Sequence, residues 1–159
     1  MLKKLQNREQ GFTIIEVMIV LVIAAVILLI VFLAVPALQR NARNTTIKND
    51  AASVLAAASE FQNNNNGSAP TTVSQTGQDV TISGATGTNS TTAKVSGGTT
   101  VALAAATPVM PTATGNLLLA INRKCTTNAF STTSTARAYA VGFLIENGSS
   151  TNPTQCVES

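Results

Sequence analysis

The chain has 159 residues, with ten Lys and Arg against seven Asp and Glu, no His, no Trp, one Tyr and two Cys. That length fits one domain plus one special segment. The composition excludes a His-based metal cluster and a Ser/His/Asp set, no phosphate-binding loop is present, and a thiolate enzyme would want a His. The reading is therefore non-enzymatic, with no cofactor and no metal. The positive balance is concentrated at the start, in Lys3, Lys4 and Arg8 beside Glu9. Without residues 1–11, seven basic and six acidic side chains remain. The pI thus carries no inference about nucleic acid, which stays a weakly supported partner.

Residues 1–11 are short, polar and basic, and an apolar stretch follows. From Val17 to Leu38 no side chain is charged or strongly polar. Those 22 residues would span about 33 Å as a helix, enough for a hydrocarbon core of about 30 Å. Lipid also removes the handicap of the many Ile and Val, because the backbone there must bond to itself. A secretory signal peptide would have a shorter apolar core and a small-residue cleavage site. A plain signal anchor fits the hydropathy equally well. Basic residues flank both ends (Lys3, Lys4 and Arg8; Arg40, Arg43 and Lys48), so charge does not fix orientation. Glu16 is the informative residue: an acid inside an apolar segment is expensive and is read as functional, with a partner to be named. Nothing basic lies in the segment. The nearest cation would be the α-amine created by cutting the chain before Phe12.

Gly11-Phe12-Thr13-Ile14-Ile15-Glu16-Val17, after a short basic leader and before about 20 apolar residues, resembles the signal peptide of type IV prepilins and pseudopilins. The resemblance covers about the first 40 residues. It implies that a prepilin peptidase reads Gly11 and cuts before Phe12, where a larger side chain than Gly would block close approach. It further implies N-methylation at Phe12 and an assembly role for Glu16, paired with the Phe12 amine of a neighbouring subunit. The implied partners are copies of the chain itself in a helical fibre, the peptidase, the pilus assembly machinery and membrane lipid before assembly. The implied location is the cell membrane, then an extracellular pilus. One departure is Pro36, the only Pro of the apolar run, which stands close to its end. It lacks an N–H and should disturb the helix back toward Phe32.

Beyond Leu38, Ile47, Ala51, Val54, Leu55, Ala58 and Phe61 recur at three- and four-residue steps, which predicts an amphipathic helix. Asn63–Asn66, Gly67 and Pro70 stop it. One helix from Phe12 to about Gln62 is expected, with a bend tolerated in the polar stretch Asn41–Thr46. Residues 68–100 read as a Ser/Thr/Gly/Asn-rich surface region with short strands at Val80–Ile82 and Lys94–Val95. Val101–Ala105 is a further strand, and Leu117–Ile121 is a strand or a short helix. Ala138–Ile145 is the clearest strand, with Tyr139, Val141, Phe143 and Ile145 on the helix side. Glu146-Asn147-Gly148 ends it in a turn. Ser149 to Pro153 are loop formers, so that apart from a tie through Cys156 the tail has little to hold it. The sequons at Asn44, Asn89 and Asn147 are expected as chance matches in this composition, and Arg123-Lys124 and Arg137 as a solvated surface.

Cys125 and Cys156, in a chain with an export-like start, read as a disulfide, the alternative being two buried thiols. Closing a loop of about 30 residues would add roughly 3–4 kcal/mol. The predicted fold class is α+β: a long hydrophobic N-terminal helix packed on a small antiparallel sheet, pilin-like. The predicted parts are a leader, 1–11; the long helix, 12–62, divided at 38/39 into a membrane or fibre-core half and an amphipathic half; and a β-rich head, 63–159. The function this supports is a structural subunit of a type IV pilus. A type II secretion pseudopilin and a membrane-anchored binding module with an uncut anchor are the alternatives.

Overall fold

A computed structural model describes residues 11–85 and 88–159; the expected leader, apart from Gly11, lies outside the described residues. The chain divides between Leu38 and Gln39 into two units. A single helix, α1 (Ile14–Asn64), runs through both. In the first unit its apolar side chains are exposed throughout, and α1 is long and apolar enough to cross a membrane. The helical run continues through Pro36, where a disturbance was expected, and through Asn41–Thr46, where a bend was allowed for. Thr45 and Thr46 in the polar stretch turn their hydroxyls back onto the carbonyls of Asn41 and Ala42, so the polar side chains are absorbed by the helix itself.

In the second unit α1 becomes amphipathic, as its spacing predicts. Ile47, Ala51, Val54, Leu55, Ala58 and Phe61 are all buried. The helix ends where the Asn run meets Gly67. The Gly67 N–H donates to Gln62 O at 2.8 Å, with Gly67 at φ +85, an end that glycine allows without penalty.

Three antiparallel strands follow: β1 (Thr72–Thr76), β2 (Asp79–Ser83) and β3 (Thr91–Lys94), in that order across the sheet. A second sheet contains β4 (Thr100–Leu103), β5 (Asn116–Ile121), β8 (Tyr139–Leu144) and β9 (Thr154–Glu158). Between β5 and β8 lies a small hairpin, β6 (Cys125–Thr126) with β7 (Ala129–Phe130). The order in the second sheet is β4-β5-β8-β9, antiparallel except for the parallel β4–β5 pair. Leu117–Ile121 thus forms a strand.

Four strands were not predicted: the two of the short β6–β7 hairpin, β1 and β9. β1 is all Thr, Val, Ser and Gln, with no apolar alternation to mark it. It is held by the β2 ladder and by the Gln75 side chain, whose Nε2 donates to Thr99 O (2.7 Å) while its Oε1 accepts from Val101 N (2.8 Å). That amide stands in for backbone and joins one sheet to the edge of the other. β9 corrects the expectation that little besides Cys156 holds the tail: Val157 pairs with Val141 and Cys156 with Gly142.

The core lies between the second half of α1 and the sheets. Phe61, Val54, Val80, Ile82, Leu117, Leu119, Tyr139, Val141 and Phe143 are fully buried in it. Asp50, buried on α1, accepts from Ser96 N–H and hydroxyl and, at 2.6 Å, from the Thr99 hydroxyl, so its burial is compensated. The architecture is the pilin-like α+β fold, a long N-terminal helix with an apolar first half and an amphipathic second half that packs on a small, mostly antiparallel β domain.

Every residue of β8 is buried, because the sheet is covered on both faces. Tyr139, Val141 and Phe143 belong to the core cluster that α1 helps build, and Ile145 packs against it. On the other face Phe130 and Met110 lie over Ala140 and Gly142. A Cβ on Gly142 would come within 2.7 Å of the Phe130 ring and 2.8 Å of the Met110 sulfur. Gly142→Val should therefore destabilise the domain by about 1–3 kcal/mol through overpacking, read as a lower chemical-denaturation midpoint. An unchanged midpoint would mean that this layer yields freely.

Candidate processing and assembly site

Gly11, Phe12 and Thr13 precede the helix in non-helical conformation, and α1 begins at Ile14. Thr13 is the N-cap. Its hydroxyl accepts from the Glu16 N–H at 3.4 Å. Glu16, in the first turn, reaches back: its Oε2 accepts from the Thr13 N–H at 2.9 Å and from the Thr13 hydroxyl at 2.7 Å. Thr-Ile-Ile-Glu is a capping box, which satisfies donors that a helix start leaves open, and the negative charge sits at the favourable end of the helix dipole.

Thr13 is the residue that the sequence reading missed. The spacing of Thr three positions before Glu, ahead of an apolar run, was the available signal. The segment holds nothing basic for Glu16, but it does supply hydrogen-bond donors from Thr13. Among the described residues no cation faces it, but in the uncut chain its carboxylate already holds two hydrogen bonds from Thr13. The box also fixes the helix boundary, leaving Gly11 and Phe12 outside it. Phe12 is 88% exposed, and among the described residues nothing lies within 4 Å of a Cβ added at Gly11.

A second cluster fastens the domain to α1 just past the apolar half. Arg43 holds the Glu146 carboxylate through both oxygens, with Nε–Oε1 at 2.9 Å and Nη2–Oε2 at 2.6 Å. Asn44 exchanges two bonds with the Glu146 backbone, each 2.8 Å. The turn after β8 is therefore clamped to the helix. An open cleft of about 410 Å³ beside it has Ile47 and Leu144 among its lining residues, together with Thr99, Gly115 and the Arg43–Glu146 pair, whose charges already satisfy each other. The Arg43 hydrogen bond holds the Glu146 carboxyl below the usual carboxylate range, with Arg43 and Arg40 charges adding to it. A depressed folded-state pKa stabilises the fold above the ordinary glutamate pKa, and the stabilisation is lost as pH falls through the lowered value. Wild type should thus lose more stability than Glu146→Gln on going from neutral to acidic pH, read from denaturation midpoints. Parallel profiles would contradict the clamp.

Cys125 in β6 and Cys156 in β9 form a disulfide, with Cα atoms 5.7 Å apart. Beside it Glu158 Oε2 accepts from the Cys125 N–H at 2.6 Å. Arg123, expected as solvated surface, instead donates to the carbonyls of Ala106 and Thr132 and ties two loops together. Among the described residues no three His, Cys, Asp or Glu side chains gather as a metal site.

Residues 6–32 match the prokaryotic N-terminal methylation motif, and thus include Gly11, Phe12, Thr13 and Glu16. No curated protein and no solved structure is detectably similar to the chain. The N-terminal motif is typical of type IV pilin-like proteins. The apolar helix that follows it is consistent with a membrane-associated precursor.

Proposed function

We propose that the chain is the precursor of a type IV pilus subunit, cut between Gly11 and Phe12 by a prepilin peptidase, N-methylated at Phe12 and polymerised through the apolar half of α1 into an extracellular fibre. The observation that carries this reading is the methylation motif placed on a helix start where Gly11 and Phe12 stand free of the helix and Glu16 sits one turn inside it. Cutting at Gly11 creates an amine at Phe12. Held toward the N-terminus by Thr13, the Glu16 carboxylate offers that amine on an adjacent copy a charged partner. An apolar surface as large as residues 12–38 needs lipid before assembly and other copies of itself afterwards. Peptidase, assembly machinery and membrane lipid are the partners this life cycle requires.

The test is a Glu16→Val substitution in the native host, with fibres sheared from the cell surface. Wild type should yield fibres built from the chain. The variant should be cut and inserted but should yield few or none, since its helix has no carboxylate for the neighbouring amine. Normal fibres from the variant would remove the proposed role of Glu16. Absence of the chain from any fibre in wild type would remove the subunit reading.

A further inference from the structure

Asn–Gly occurs twice in the chain, at Asn66–Gly67 and at Asn147–Gly148. In such a pair no Cβ shields the glycine nitrogen, which can attack the asparagine Cγ. The new N–C bond closes a succinimide ring, ammonia leaves with the side-chain nitrogen, and water then opens the ring to aspartate or isoaspartate. The fold treats the two sites differently. The Gly67 N–H is committed to Gln62 O at 2.8 Å in the helix cap, and Asn66 is held at φ 54. Cyclisation there would have to break the end of α1.

At the second site, Asn147 and Gly148 are both exposed in the turn after β8, and the Gly148 N–H has no acceptor among the described residues. The Asn147 side-chain oxygen accepts from the Ser149 N–H at 3.0 Å. That bond polarises the carbonyl under attack and faces the negative charge that builds on its oxygen in the tetrahedral adduct. A guanidinium lies over each glycine, Arg40 over Gly148 and Arg137 over Gly67, so the committed amide, and not a nearby cation, separates the two sites.

We propose that Asn147 is a site of spontaneous self-modification, cyclising through Gly148 and opening to an acid, while Asn66 is protected by the fold. The modification adds a negative charge to the turn that Arg43 and Asn44 clamp to α1. Arg40, which has no ion pair among the described residues, is the cation nearest to receive it. This inference is independent of the pilus reading.

The experiment is peptide mass spectrometry on the full-length chain in detergent micelles, sampled during incubation at mildly alkaline pH, with a second sample kept in denaturant. In the folded chain the peptide containing Asn147 should progressively gain the mass difference between an amide and an acid, while the Asn66 peptide stays unchanged. In denaturant both should convert. Equal conversion of the two sites in the folded chain would overturn the proposal, as would a folded chain in which Asn147 resists conversion that denaturant permits.

Discussion

Gly11→Val should leave the chain as an uncut precursor in the membrane, with almost no processed form on a blot or by intact mass. The reason lies in what the substitution does not do. Among the described residues nothing comes within 4 Å of a Cβ at Gly11, and residue 11 stands before the helix rather than in it. The variant therefore loses no packing and no helix of its own. The effect has to arise at an active site that closes around the scissile bond, where a branched side chain excludes the backbone from reach. Catalysis depends on near-attack geometry, and a displacement of about 1 Å can cost 100-fold in rate. Normal processing of the variant would remove Gly11 as the cleavage residue.

Loss of the Cys125–Cys156 bond should produce the largest fall in stability of the β domain. The two residues are 31 apart in sequence, and closing a loop of that length constrains the unfolded chain by roughly 3–4 kcal/mol. For a unit the size of Gln39–Ser159 that corresponds to a melting temperature lower by roughly 10–15 °C. The bond also joins β6 to β9. β9 has only β8 as a ladder partner, at one edge of its sheet, and several of its side chains are exposed. A Cys125→Ser, Cys156→Ser double variant, compared by thermal melting with the oxidised wild type, reads the effect. Identical melting would show that the tail is held without the bond.

How far the sequence discloses this structure depends on what kind of signal each part carries. The apolar run, the period of Ile47 to Phe61 and the Asn–Gly stop are local patterns of many residues, and α1 follows from them almost end to end. β8 is legible for the same reason, since Tyr139, Val141, Phe143 and Ile145 alternate cleanly. β1 and β9 are not legible. Thr72–Thr76 has no apolar face to bury, and its place depends on a side-chain amide, Gln75, that completes a neighbouring strand. Thr154–Glu158 is fixed by pairing with β8 and by a covalent bond, both set by residues far away in sequence. The parallel β4–β5 pair is invisible in the same way, because strand direction is decided by the chain path through Ala104–Gly115 and not by either strand's residues.

The candidate processing site stood out by its residue types but not by its geometry. Phe12 and Glu16 stand out by composition and position. Thr13 does not, until the helix boundary is placed and its hydroxyl is seen to close a capping box with Glu16. The consequence is physical. The acid at the head of the apolar helix is hydrogen-bonded before any partner arrives, which lowers the cost of carrying it in a membrane. What a free Phe12 amine adds is charge rather than a first hydrogen bond. The clamp between Arg43 and Glu146 was likewise hidden: it joins residues 103 apart in sequence, and nothing in either neighbourhood announces the other.

The most direct test is the first residue of the native protein, read by mass spectrometry of its N-terminal peptide from the host cell. A mature chain beginning at N-methylated Phe12 is the expected result. A chain that still carries Met1 to Gly11 in full would contradict the account, because Phe12 would then have no free amine for Glu16 to meet.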